Sequence, residues 1–234
     1  MDKSPVQPSF IPIYDALIKC RGILAWNMQH GLMESLKRFN PELATDSGFI
    51  CQLITSTTAV IDYGYRAFQL LDALPHYSKK SRSFKSFKDR CQQLKFCRNY
   101  LQHIRGDLQS NAIVDFPLLG SVSWICDGSC HAMALSQLTG QYSFGTIAYD
   151  TWENRWAWSV MITCKKHNVY PEEILALLED CLRELREAVT IENDPYIHGS
   201  IGSLQALNCS IVKPNEMMAQ QGAERDAASR RPLA

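Results

Sequence analysis

The chain has no net charge. Its 24 basic and 24 acidic residues cancel, which excludes a protein that is basic all over and draws polyanions by bulk attraction. No apolar run approaches the roughly 20 residues that span a bilayer, and the opening MDKSPVQPSF has no apolar segment of secretory type. Neither a membrane span nor a secretory leader is therefore expected, and the cytoplasm is the expected location. Nine cysteines in such a chain read as reduced thiols, because an odd count without an export signal is a poor disulfide framework. A G-x-S-x-G elbow, a P-loop and a dinucleotide fingerprint are missing, as are internal repeats and low-complexity tracts.

What is present is the composition of one ordinary globular domain, with 234 residues, 46% apolar and 21% charged. Ile13, Leu17, Cys20, Leu24, Met28, Leu32 and Leu36 recur every three or four residues and predict a helix over about 10–39. A second helix is expected to start on Asp46 as N-cap and to end before Pro75. Residues 78–86 (SKKSRSFKS) read as a Ser- and Lys-rich connection. A third helix follows over about 87–109 with Cys91, Leu94, Cys97, Leu101, Ile104 and Leu108 as its seam. Pro171, Glu172 and Glu173 open a fourth helix that runs to about Val189.

Between the third and fourth helices the period shortens to two. Ser121–Cys126, the turn Asp127-Gly128 and Cys130–Ser136 predict one hairpin, and Ser143–Tyr149 with Arg155–Thr163 predict another. Tryptophans and tyrosines gather in this region, and the expectation is a small sheet packed on the helices in preference to a base-stacking platform. Residues 191–212 fit no single pattern, and the stretch after Lys213 is expected to be mobile.

The charges are segregated although they cancel. From Ser78 to Arg105 nine basic residues, including Lys79, Lys80, Arg82, Lys95 and Arg98, accompany Asp89 as the single acid. From Glu172 to Asp194 eight acids accompany two arginines. A basic strip on an acidic body draws a polyanion to one place, while the plainer alternative is a solvated loop and helix face.

The third helix carries Arg98-Asn99-Tyr100-Leu101-Gln102-His103. At about 100° per residue, Arg98 and His103 are about 140° apart, with Lys95, Asn99 and Gln102 between them on the polar side. Arg offers a planar fork that matches phosphate oxygens, and His exchanges protons near neutrality. With RNA as substrate the 2′-hydroxyl supplies the nucleophile, so neither a metal nor a protein nucleophile is required.

This segment, R-N-Y-L-Q-H, resembles the R-x(4–6)-H motif of HEPN domains, the small helical bundles of many prokaryotic ribonucleases and toxins. The likeness extends to the polar residue after the arginine and to the helical setting with a hydrophobic seam. It implies a mainly α fold, a four- to five-helix HEPN-like bundle, into which the small antiparallel β region read from the alternation at about 117–164 would be inserted as a departure from the minimal bundle. The single domain would cover 10–212, with a flexible C-terminal tail over 213–234. The resemblance further implies a metal-independent endoribonuclease needing no cofactor, with Arg98 and His103 catalytic and Asn99 supporting at a homodimer cleft. Its products would carry a 2′,3′-cyclic phosphate and a 5′-hydroxyl. RNA would be engaged by Lys79, Lys80, Arg82, Lys95 and Gln102. A toxin or defence role restrained by a cognate antitoxin, such as a nucleotidyltransferase, belongs to the same implication. The alternative is a non-catalytic HEPN-like module for dimerisation or for nucleotide or RNA binding, and beyond that a structural α-helical protein.

A second constellation, Cys126-x3-Cys130-His131 with Cys164-x2-His167, has spacings that could hold a zinc between two hairpins. Asp127-Gly128 already accounts for the first loop as a turn, so no metal is expected and zinc through Cys126, Cys130, Cys164 and His167 stands as the alternative. His30, His76 and His198 lack partners at ligand or triad spacing.

Overall fold

In the computed structural model the described residues are 10–75, 77–104, 117–126, 128–136, 149–150, 155–156 and 158–189. They belong to one compact unit, Met1–Gly202; a second unit, Ser203–Ala234, lies outside them, as do the expectations for 191–212 and for the tail.

Helix α1 (Phe10–Trp26) buries Leu17, Cys20 and Leu24 of the expected stripe together with Phe10, Tyr14 and Ile18, while Ile13 is half-buried. The rod then widens into a π-helical stretch, Asn27–Met33, before the short α2 (Glu34–Lys37). The wider winding shows in the backbone, where the Glu34 N–H donates to the Gln29 carbonyl five residues back. Gly31 permits it. A Cβ there would lie 2.1 Å from Ser56 Oγ, so the absence of a side chain lets this segment press against the next helix. After a 3₁₀ turn over Pro41–Thr45, Asp46 accepts from the Phe49 N–H at 2.6 Å and caps α3 (Ser47–Ala73), as the sequence predicts.

Helix α4 (Arg82–Gln102) corrects two boundaries. The stretch 82–86, expected as a connection, is its first turn. Ser81 accepts from the Phe84 N–H at 3.1 Å, and Phe84 is buried against Phe68 and Tyr77. Capping and one buried aromatic outweigh the loop-like composition. The helix ends at Gln102, short of the expected 109; residues 105–116 lie outside the described set. Helix α5 (Pro171–Ala188) starts on its proline as expected. Glu172 does more than complement the helix dipole, because its Oε2 accepts from the N–H groups of Ser159 (2.7 Å) and Val160 (3.3 Å) and pins a strand to the helix.

The strands are β1 (Ser121–Cys126), β2 (Ser129–Ala134), β3 (Tyr149–Asp150), β4 (Arg155–Trp156), β5 (Val160–Cys164) and β6 (His167–Val169). A four-stranded antiparallel sheet has the order β2-β1-β5-β6, and β3 pairs separately with β4. The first expected hairpin is present. The second is not a single ladder: Tyr149 and Asp150 pair with Trp156 and Arg155, whereas Val160–Cys164 pairs with β1 on one side and with the unanticipated β6 on the other. Every residue of β5 is buried, since this strand is central in the sheet, so the alternating pattern gives no reliable guide to it. The sheet is no appendage. Val122, Trp124, Val160, Ile162 and Val169 join the same core as Leu94, Leu178 and Leu182 of the helices.

Candidate functional site: the α3–α4 cleft

Helix α3 places Asp62 and Arg66 one turn apart, and their i, i+4 spacing lets Arg66 Nε reach Asp62 Oδ2 at 2.7 Å. Helix α4 packs beside it and brings Arg98 Nε to the other oxygen, Oδ1, at 2.8 Å. One carboxylate thus bridges two guanidiniums, leaving an excess of one positive charge. The Arg98 guanidinium also lies 5.7 Å from the centre of the Tyr65 ring, and that of Arg66 lies 5.7 Å from Tyr63. Burial pushes the Asp62 carboxyl up, but the hydrogen bonds from Arg98 and Arg66 more than offset this and hold it below the ordinary carboxylate value.

These groups line an open cleft of about 540 Å³ whose walls include Ile54, Thr55, Thr58, Leu101 and Gln102, a size suited to a small ligand or one nucleotide. Each arginine meets Asp62 through Nε, Arg66 at 2.7 Å and Arg98 at 2.8 Å. Arg98 is therefore held in one orientation with its outer fork available to an oxyanion, an arrangement that side-chain flexibility would otherwise oppose.

The remaining sequence-predicted residues distribute as follows. Gln102 lines the cleft with Arg98. Asn99 and His103 are exposed and do not line it. His103 is the C-cap of α4, with φ −112° and ψ 17°, and its backbone N–H donates to the carbonyls of Asn99 and Tyr100. Within one chain the arginine and the imidazole thus occupy separate edges of the helix face. Lys79 pairs with Asp72 at 3.4 Å, and Lys80 and Arg82 are exposed at the start of α4. Arg82 is about 24 Å along the helix axis from Arg98. Lys95 is exposed between these ends.

The four zinc candidates are not brought together. Cys126 pairs with Ser129 and Ile125 with Cys130 at the β1–β2 turn, while Cys164 pairs with His167 at the β5–β6 turn. Because Ser121, at the other end of β1, is opposite Thr163, the two turns lie at opposite ends of the sheet, about 20 Å apart. Cys164 is instead buried beside Cys97, and the hydrogen bond between these thiols, together with burial, pushes its pKa up. His131 stacks on Trp124 at 5.2 Å. Among the described residues no group of three or more His, Cys, Asp or Glu is placed to hold a metal ion.

Three features escaped the sequence reading. Asp62 and Arg66 were legible as an i, i+4 pair on α3, but nothing in the sequence ties them to Arg98. His30, expected to have no partner at ligand or triad spacing, sits 3.1 Å from Glu34 one turn on and against the exposed Trp26 ring at 4.1 Å. His76 and His198 lie outside the described residues. The third feature is the stack of Phe96 on His167, two residues 71 positions apart in the chain. No helix among the described residues is long and apolar enough to cross a membrane. In comparison with known proteins, no family model, curated protein or solved structure matches the chain.

Proposed function

We propose that the chain is a metal-independent endoribonuclease of the HEPN type, acting as a homodimer. The observation that carries the reading is the Arg98 guanidinium, held by Asp62 through Nε at 2.8 Å and lining an open cleft. A fixed guanidinium is suited to the charge that gathers on phosphate oxygens during transfer. In this reading His103 takes the proton of the ribose 2′-hydroxyl, which attacks phosphorus. The 5′-oxygen leaves with a proton supplied by an acid of the second copy, giving a 2′,3′-cyclic phosphate. Asn99, on the exposed face beside Arg98, orients the ribose–phosphate. His103 lies at the helix end, away from the Arg98 cleft, so one copy offers each group at a different edge; two copies packed on this face bring the arginine of one near the imidazole of the other.

One observation favours the non-catalytic alternative, a module that dimerises or binds a nucleotide or RNA. Asp62 neutralises half of the local positive charge, and His103 does not share the cleft. Cleavage of mixed RNA in EDTA separates the two. The nuclease reading expects cyclic-phosphate products from the wild-type chain. Arg98→Ala is expected to lower the rate about 10²–10³-fold and His103→Ala about 10²–10⁴-fold, with folding intact. A wild-type dimer inert on structurally diverse RNAs overturns it.

A further inference from the structure

On the edge of α4 away from the Arg98 cleft, a second group of side chains has no role in the core. Phe96 is 45% exposed, yet one face of its ring is covered by His167 from β6, stacked at 4.5 Å with 14° between the planes. That imidazole is fixed by its neighbours. Gln93 Oε1 lies 3.1 Å from its Nδ1, and the Cys97 thiol donates to its backbone carbonyl at 3.8 Å. The two rings therefore form a supported double layer with an outer face open to solvent.

Positive charge surrounds it. The β5–β6 turn consists of Lys165, in the left-handed region at φ 54°, and Lys166. Lys165 Nζ lies 4.8 Å over the Tyr100 ring, and Lys166 is exposed. Burial and then the fields of Lys166 and Lys165 hold His167 below its ordinary value. Along α4, Lys88, Gln92, Lys95 and Asn99 follow at spacings of four, three and four and make an exposed ridge beside Phe96. Asp89 is the one acid on the exposed side of this helix.

We infer that this surface docks single-stranded RNA, with a nucleobase stacked on the outer face of Phe96 and the flanking phosphates met by Lys95 and Lys166. The inference rests on reading the chain as RNA-directed. An aromatic platform with lysines around it suits a strand whose bases are free, because every base has a π-face, whereas a duplex keeps its base faces stacked. Phe96 and His103 are seven residues apart, so on α4 they are about 10 Å apart along the axis and about 20° apart around it. A strand seated on Phe96 therefore passes the imidazole assigned to proton transfer. The stack positions the strand, and Phe96 itself takes no part in the chemistry.

Binding is measured with a fluorescent unstructured oligouridylate and a blunt RNA duplex of equal length, using the full chain carrying His103→Ala so that the strand stays intact. Phe96→Leu is expected to weaken the single strand about fivefold or more, about fivefold being the low end of one lost stacked base, and to leave the duplex unchanged. Phe96→Trp is expected to keep the affinity and to show tryptophan quenching by the oligonucleotide beyond that of the parent. Lys95→Gln with Lys166→Gln is expected to reduce the slope of log affinity against log salt by about 1.4, two phosphate contacts on a single strand. Unchanged affinity in a folded Phe96→Leu chain, equal loss for the duplex, or a Phe96→Trp chain quenched no more than the parent overturns the proposal; the quenching readout decides alone if Phe96→Leu does not fold. Cleavage by an otherwise native Phe96→Leu chain with undiminished single-strand affinity removes the platform and leaves the nuclease. Phe96-dependent binding by a chain that never cleaves removes the nuclease and leaves the platform.

Discussion

Replacing Asp62 by Asn keeps the shape of the side chain and deletes the charge that both arginines share. The Asp62–Arg98 contact joins two side chains that are each 24% exposed, where a hydrogen bond between charged groups contributes about 1.5–3 kcal/mol. The Arg66 arm is half exposed, and an i, i+4 pair of that kind contributes about 0.3–0.5 kcal/mol. The expected loss is therefore about 2–3 kcal/mol, or a fall in Tm of about 4–12 °C for a chain of this size. The pH dependence has a definite sign. The folded carboxyl lies below its ordinary value, so the stabilisation is complete above the unfolded value of about 3.9 and disappears as pH falls through the folded one. Urea denaturation of both chains should give a constant gap from pH 7 to pH 5 that closes on acidification below about 4. A double-mutant cycle with Arg98→Gln should return a coupling of about 1–2 kcal/mol. An Asn variant within about 0.5 kcal/mol of wild type at pH 7, or a gap that does not narrow at all as pH falls below about 4, refutes the assignment of Asp62 as the group that holds Arg98.

Two further substitutions test how the elements are brought together. Gly31→Ala would place its Cβ 2.1 Å from Ser56 Oγ and 2.6 Å from Ser56 Cβ; overpacking of this kind costs about 1–3 kcal/mol, and Ser56→Gly in the same chain should restore much of the lost stability by thermal denaturation. Gly120 has φ +81°, and a Cβ there would meet the Thr163 carbonyl oxygen at 2.8 Å. Gly120→Ala should therefore destabilise by at least about 1–2 kcal/mol through backbone strain, with no side-chain substitution able to relieve it because the obstacle is main chain; a Tm equal to wild type refutes this.

Local chemistry was the legible part. Asp46 before Phe49, Pro171 ahead of two glutamates, and Asp127-Gly128 between alternating residues act over four or five positions, and the helices and the first hairpin follow from them. The start of α4 is not legible in the sequence for the converse reason. Lys and Ser dominate 78–86, and the weight of Phe84 becomes apparent only when Phe68 and Tyr77 stand beside it. The π-helical stretch depends in the same way on Gly31 meeting Ser56 across a helix interface.

The sequence by itself determined which residue types are on hand: a guanidinium, an amide and an imidazole within one amphipathic helix, a basic segment around it, and a hydrophobic seam to anchor it. Tertiary structure decided their company. Helix packing gave Arg98 its carboxylate 36 residues away and put Gln102 in the cleft, while the helix end set His103 outside it. Strand order carried His167 and the two lysines to Phe96 and separated the cysteines that spacing had grouped. The physical reason is reach: capping, turns and periodicity act within a few residues, whereas ion pairs and ring stacks require surfaces that only burial of a shared core brings into register.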